Sequence, residues 1–189
     1  MKKKNRLLSF ALDLFFPSFC VGCGTEGSFL CPKCEGKIVI RRVPSSTTPR
    51  GIRTVYAACE YSQPLVSELI QQLKYRGIKD ASEQCAGLIL SHLARADVVL
   101  PDDAVVVPVP LSSKRLRERG FNQSGLIAGR VAQALSLPFS SGALERTRHT
   151  APQTETNGRA MRIKNVKGAF MSNNGEVVKN KNIILVDDV

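Results

Sequence analysis

The chain has 189 residues, of which 43% are hydrophobic, contains no tryptophan, and carries a formal net charge of +11. This length accommodates one ordinary domain together with a small accessory module. No apolar run approaches the roughly 18 residues that a membrane-spanning helix needs, so the composition predicts no membrane span.

The positive charge is concentrated in two parts of the chain. Residues 1–50 contain nine lysines and arginines against three acids, and residues 110–170 contain eleven against three. The segment between them is slightly acidic. Two such basic segments indicate an anionic partner such as phosphate or nucleic acid. A solvated basic surface is the alternative.

The N-terminal segment MKKKNRLLSFALDLFF superficially resembles a secretion signal, with a basic start and an apolar stretch. However, Asp13 interrupts that stretch, Pro17 follows it, and no small-x-small cleavage motif precedes Cys20. We therefore predict a cytoplasmic protein. In that compartment, clustered cysteines are more often metal ligands than disulfides.

Four cysteines follow in CVGCGTEGSFLCPKC, where Cys20, Cys23, Cys31 and Cys34 form two C-x2-C pairs. A two-residue gap lets two thiolates on one tight turn face the same ion, and two such turns complete a tetrahedron. Four soft ligands without histidine favour zinc in a closed structural site. The spacing thus predicts a compact zinc ribbon, with a redox pair or two disulfides as alternatives.

The remaining chain is predicted to divide at a linker. Residues 41–51 are rich in Pro, Ser and Thr, and would separate an N-terminal helix and zinc ribbon (1–40) from a main domain (52–189). The main domain is predicted to start with a strand over 52–61 and to continue with helices over 64–75 and 80–95.

Further along the chain, DDAVVVPVP predicts a strand buried on both faces of a parallel sheet. A helix starting near Asn122 should follow, then strands near GALER and GAF, and finally NIILV. Strands that alternate with helices indicate an open α/β sheet.

The segment LSSKRLRERGFN is predicted to be a loop between that first buried strand and the helix. It carries Lys114, Arg115, Arg117 and Arg119 and ends at Asn122. Ligands of open α/β sheets bind at the carboxyl ends of strands, and a helix N-terminus favours phosphate. The segment therefore predicts a phosphate site, with a solvated charge run as the alternative.

A second basic stretch, RTRHTAPQTETNGRAMRIKN, contains Arg146, Arg148, Arg159 and Arg162 without helical or strand periodicity. An irregular segment of this length inside a domain is usually disordered or a functional lid.

The sequence ends on IILVDDV, where Asp187 and Asp188 follow what is predicted to be a buried strand. Ionised carboxylates accept hydrogen bonds, so this pair could hold two vicinal hydroxyls or a hydrated metal ion. A simple strand-end turn is the alternative. A Walker-type magnesium strand is disfavoured because the chain has no G-x-x-x-x-G-K-[ST] motif.

Four segments, taken in order, closely resemble the ComF family. They are CxxC…CxxC, VPVPLSSKRLRERGFNQ, LERTRHTAPQTETNGRAMRIKNVKGAF and IILVDDV. Its members are zinc-ribbon, phosphoribosyltransferase-like proteins linked to natural competence and DNA uptake. The resemblance covers essentially the whole chain. It implies an α/β fold in which the four-cysteine zinc ribbon precedes a type I phosphoribosyltransferase-like open sheet.

The resemblance also implies a site for phosphoribosyl pyrophosphate (PRPP), bound together with Mg²⁺. The two aspartates would bind the ribose hydroxyls, the first basic segment would face pyrophosphate, and the second would be a lid. The implied PRPP-binding residues are Lys114, Arg115, Arg117, Arg119, Asn122, Gln123, Arg146, Arg148, Arg162, Asp187 and Asp188.

One part of the family signature does not follow Val189, namely the Thr-Thr-Gly-type turn that cradles the 5′-phosphate. The resemblance therefore implies a sheet that is incomplete at its C-terminus. Because several charge-assisted hydrogen bonds to phosphate would be lost, we expect residues 1–189 to bind PRPP poorly. Micromolar binding in calorimetry with Mg²⁺ would contradict this.

The function implied by the resemblance is that of an accessory protein of natural competence, with single-stranded DNA or a competence helicase as partner. Whether the chain catalyses phosphoribosyl transfer is left open, since no residue stands out as a general base. The alternatives are a DNA- or helicase-binding zinc-ribbon protein without transferase activity, and an inactive truncated gene product.

The cysteine spacing leads to a direct test. We expect metal analysis of the purified protein to find about one zinc ion per chain. Removing the ion with a chelator should unfold the N-terminal module, because a unit of a few dozen residues is too small to fold without it. A metal-free module that keeps its circular dichroism and its resistance to proteolysis would contradict this expectation.

Overall fold

The computed structural model describes residues 17–45, 48–49, 51–76, 78–148, 166–173 and 175–188. These residues form a mixed α/β fold. Its elements, in chain order, are α1 (Pro32–Glu35), α2 (Pro64–Tyr75), α3 (Ala81–Arg95), β1 (Val105–Pro108), α4 (Ser113–Arg119), α5 (Gln123–Leu135), β2 (Leu144–Arg146), β3 (Phe170–Ser172), α6 (Gly175–Val178) and β4 (Ile183–Val186). None of the helices in the described ranges is long and apolar enough to cross a membrane.

The two helices predicted after the linker are confirmed. Helix α2 begins at Pro64, which occupies a first-turn position where its missing N–H costs nothing. Its inner face carries Leu69 and Leu73, both fully buried. Helix α3 packs beside it and buries Cys85 and Leu88 in the same core cluster.

The predicted open sheet is present in part. Within the described residues, β1 pairs in parallel with β4, in the register Val105↔Ile183 to Pro108↔Val186, and β2 pairs antiparallel with β3. Helix α5 covers one face of the β1–β4 pair, where Val106 and Val186 join the main core. The parallel pairing brings the carboxyl ends of β1 and β4 to the same edge.

The strand predicted at IILV is present as β4, but the expectation that it is buried is wrong. Ile183 is 41% exposed and Leu185 is 48% exposed, and Val186 is the one buried residue of β4. Side chains alternate along a strand, so the register places Ile183 and Leu185 on the face opposite α5. On that face, a small apolar cluster covers Val105 and Val107 of β1 instead.

The strand predicted over 52–61 is also wrong. The structure has a single bridge there, between Cys59 and Ile40, and two separate backbone bonds, from Arg41 N to Ala58 O and from Ser45 N to Val55 O. A continuous ladder does not form, because the pairing between the two segments shifts by one residue between these two bonds.

The cysteine segment packs directly on the rest of the fold. Cys20, Cys34 and Ile38 belong to the same core cluster as Leu69. The Gln63 side chain binds the Val39 backbone in both directions, accepting from Val39 N (2.7 Å) and donating to Val39 O (2.9 Å). The helix predicted before Cys20 falls largely outside the described residues.

Truncating the shared core should destabilise the whole described fold. We expect Leu69→Ala to lower the free energy of unfolding by about 2–5 kcal/mol, because it removes a fully buried side chain and leaves a cavity. Val99→Ala is the control, since Val99 is almost fully exposed. Denaturant unfolding followed by circular dichroism measures both, and equal effects of the two substitutions would contradict the core assignment.

Candidate functional site

The four cysteines of the predicted zinc ribbon lie together. All four Sγ atoms are within 4.8 Å of one another, and those of Cys23 and Cys31 are 3.6 Å apart. A tetrahedral zinc–thiolate site has sulfur–sulfur edges of about 3.8 Å, given Zn–S bonds near 2.3 Å. All six cysteines of the chain are free thiols, so the disulfide alternative is not supported. The donor set fits zinc.

The surroundings of the cluster favour the thiolate form of Cys20 and disfavour that of Cys34. Burial acts to raise the pKa of Cys20, but backbone hydrogen bonds, including one from Cys31 N (3.3 Å), lower it to about 6. Burial raises the pKa of Cys34 to about 12. A coordinated cation stabilises a buried thiolate of this kind by its own charge.

Gly22 permits the close packing of the cluster. A Cβ atom at this position would lie 2.8 Å from Cys34 Sγ and 2.6 Å from Leu65 Cδ2 of helix α2. The nearby Gly24 adopts φ +71°, a left-handed conformation that favours glycine. The first C-x2-C turn is thus shaped by its two glycines.

A second group of predicted site residues lies where β4 ends. Asp187 Oδ1 accepts hydrogen bonds from Ser124 Oγ of helix α5 (2.8 Å) and from Asp188 N (2.9 Å). Asp188 instead forms an ion pair with Lys74 of helix α2, with Nζ and Oδ2 2.8 Å apart. The two adjacent carboxylates therefore have different partners.

The electrostatics of this strand end place predicted site residues near one another. Desolvation and the neighbouring Asp188 charge raise the pKa of Asp187 to about 6, against the effect of the Ser124 hydrogen bond. Burial and the nearby Arg115 lower the pKa of Arg146, whereas the Asp187 charge acts to raise it. Arg115, Arg146 and Asp187 thus lie within electrostatic range of one another.

The predicted basic loop is a helix. Helix α4 begins after Ser112, whose Oγ accepts a hydrogen bond from Arg115 N (3.4 Å), and ends at Gly120 in the left-handed conformation with φ 74°. An N-terminal serine cap and a C-terminal glycine are standard helix boundaries. The four closely spaced cations of this segment suggested a loop, although Ser112 and Gly120 are helix-boundary residues.

Helix α4 distributes its cations around its surface. Lys114 and Arg117 are exposed, whereas Arg119 lies over the Tyr75 ring of helix α2, 5.3 Å from its centroid. Asn122 precedes α5 as predicted, but its Nδ2 donates to Val109 O (3.0 Å) rather than capping the helix. Gln123 is buried at 3% exposure.

The second basic stretch is described only at its first three residues, 146–148. Arg146 lies on β2 with its guanidinium 5.3 Å from the Phe170 ring centroid, and Arg148 Nη2 donates to Lys167 O (2.8 Å). Arg162 and the rest of the predicted lid lie outside the described residues.

Sequence reasoning missed Lys74 and Ser124, the two residues that bind the aspartates. Ser124 had a usable signal, because it is a small hydroxyl residue in the first turn of a helix that follows a strand. Lys74 had none, because its partner lies at the far end of the chain.

Together these features define an α/β protein with a four-cysteine cluster that can hold a metal ion and with an acidic strand end near two arginines. The chain is 31% identical to DNA utilization protein YhgH of Escherichia coli (strain K12), over 91% of this chain and 76% of that protein. It is 29% identical to Competence protein F of Haemophilus influenzae (92% and 72%). It is 33% identical to Competence protein ComFC of Bacillus subtilis (58% and 43%). The chain belongs to the ComF family. No protein-family model and no solved structure matches it.

Filling the space beside the cysteine cluster should weaken metal binding. We expect Gly22→Ala to lower zinc affinity about 10- to 100-fold, because the new Cβ must displace Cys34 Sγ, and changes next to metal ligands have effects of this size. Competition with a chromogenic chelator measures the affinity. Gly87→Ala is the matched control, since its Cβ would meet nothing within 4 Å. Unchanged zinc affinity in Gly22→Ala would contradict the described packing.

Proposed function

We propose that this chain is an accessory protein of natural competence and DNA uptake, with a strand-end site for a phosphorylated ribose such as PRPP. The competence role is supported by its similarity to Competence protein F and Competence protein ComFC. The observation that carries the ligand proposal is the grouping of Asp187 with Arg115 and Arg146 at the carboxyl end of a parallel strand.

The chemistry of that grouping suits a ligand with two different ends. An ionised Asp187 accepts hydrogen bonds and so can hold sugar hydroxyls. Arg115 and Arg146 present planar, permanently charged donors that match phosphate oxygens. A ribose that carries a pyrophosphate combines both groups, and the Mg²⁺ that accompanies pyrophosphate would add positive charge beside the arginines.

We assign the metal centre a structural role. Cys20, Cys23, Cys31 and Cys34 would occupy all four positions of a tetrahedral zinc ion, which leaves no open position for substrate or water. When bound, zinc would hold the two C-x2-C turns together and keep this segment packed on helix α2.

The Asp187 carboxylate predicts a pH dependence for PRPP binding. The pKa of Asp187 is raised to about 6, so the group is ionised above this pH and protonated below it. Affinity should therefore be lost as the pH falls through about 6 and recovered as it rises. Titration of ¹⁵N-labelled protein with PRPP and Mg²⁺, followed by NMR, measures binding even when it is weak.

The control for this experiment is Asp187→Asn. Phosphate groups also titrate near pH 6. The pH dependence of affinity that remains in the variant is therefore that of the ligand alone. We expect the variant to bind more weakly at pH 7.5 and to show a smaller pH dependence. Identical pH profiles for the two proteins would contradict a role for Asp187 in the site.

The competence role is tested separately. Deleting the gene from its host should reduce uptake of labelled DNA and the frequency of transformation, and the wild-type gene should restore both. Normal transformation in the deletion strain would contradict this part of the proposal.

Direct DNA binding is the alternative, and its dependence on salt distinguishes it. If single-stranded DNA binds through the exposed cations of α4, the logarithm of its binding constant should fall linearly with the logarithm of the salt concentration. Lys114→Ala and Arg117→Ala should each reduce the slope by about 0.7. Fluorescence anisotropy with a labelled oligonucleotide measures this, and no binding at low salt would eliminate the alternative.

A further inference from the structure

We propose that Lys74 is a positioning residue that gives the two aspartates different roles. It holds Asp188 as an internal counter-ion, and this leaves Asp187 as the carboxylate that meets the ligand. The second half of this inference rests on the proposed function, whereas the first half stands on the geometry alone.

The Lys74–Asp188 contact is unlike the other ion pairs of the described residues. Its two side chains are only 17% and 6% exposed, and the Nζ–Oδ2 distance is 2.8 Å. The pairs Arg41–Glu60, Arg130–Glu83 and Lys179–Glu176 each include a side chain that is more than half exposed. A charge buried in this way depends on its partner, because removing one member leaves an uncompensated charge in a poorly solvated site.

Asp187 is held by neutral groups instead. Its two short hydrogen bonds come from a serine hydroxyl and a backbone N–H, and both end on the same oxygen, Oδ1. At the level of whole residues Asp187 is exposed and Asp188 is partly buried, although the Asp187 carboxyl is itself partly desolvated. A carboxylate that has no neutralising lysine and lies near Arg115 and Arg146 is the one placed to accept ligand hydroxyls.

Helix α2 is anchored well enough to position a side chain. Leu69 and Leu73 are fully buried, and the Gln63 side chain ties the start of the helix to the Val39 backbone. At its other end, Lys74 contacts Asp188 and the adjacent Tyr75 contacts Arg119. The last turn of one rigid helix therefore sets the position of two residues of the implied site.

A double-mutant cycle in thermal stability tests the counter-ion role without any ligand. Lys74→Met and Asp188→Asn should each lower the Tm, because each leaves an unpaired partner in a nearly buried site. The double variant should recover much of the loss, so that the effects are not additive. Asp187→Asn should leave the Tm nearly unchanged, as should Lys179→Met, which removes an equal charge from an exposed pair.

A second measurement tests the ligand role, with PRPP and Mg²⁺ as the probe in the NMR titration. Lys74→Met should weaken binding about tenfold, the equivalent of one charge-assisted hydrogen bond. Lys74→Arg should restore it to within about threefold, since arginine keeps the charge. Asp187→Asn should bind more weakly than the Lys74→Met, Asp188→Asn double variant, which keeps Asp187 intact.

The outcomes separate the two halves of the inference. Additive Tm losses, or a Lys74→Met variant as stable as the wild type, would overturn the counter-ion role. Loss of all binding in Asp188→Asn with an unchanged Tm would show that Asp188 touches the ligand, and would also overturn it. Failure of the wild type to bind PRPP would overturn the ligand role of Asp187 and the proposed function together, while the Tm cycle would still decide the role of Lys74.

Discussion

The burial of one face of helix α2 is the interaction on which the rest of the structure depends. Leu69 and Leu73 are inaccessible to solvent, and both the cysteine segment and the end of β4 contact this helix. Burying two leucines stabilises the fold by several kcal/mol, at about 1.5–3 kcal/mol for each side chain. The cysteine segment is therefore part of the main core.

The parallel pairing of β1 with β4 has the second largest consequence. It brings the residue after β4 against the first turn of α5, so that Ser124 meets Asp187 across a long stretch of sequence. The same edge receives Arg115 from α4 and Arg146 from β2. Groups from four elements thus lie near one another at this edge, and the chain has to be folded for any of them to meet.

Features set by nearby residues could be predicted from the sequence. The cysteine cluster follows from two local turns, and helix α2 from its leucine spacing and its proline. The position of Asp187 and Asp188 after a strand was also correct. Helix α4 had local signals too, Ser112 and Gly120, but four cations between them suggested a loop.

Features set by distant partners could not be predicted. The exposure of Ile183 and Leu185 depends on the register with β1 and on what covers each face of the sheet. The segment over 52–61 has the composition of a strand, but its pairing with the facing segment shifts by one residue between Arg41 and Ser45. The ion pair between Lys74 and Asp188 joins two residues that are far apart in the sequence, and no periodicity indicates it.

The one-sided packing of β4 affects how this part of the molecule moves. The strand has four residues, pairs with β1 within the described residues, and has its well-packed face only toward α5. Segments with few buried contacts open at lower free energy than the core, and binding sites are often found on them. The amides of β4 should therefore exchange with solvent sooner than those of α2. A molecule that binds Asp187 would slow this exchange, because it would favour the state in which β4 is paired with β1. Part of its binding free energy would then be used to order the strand.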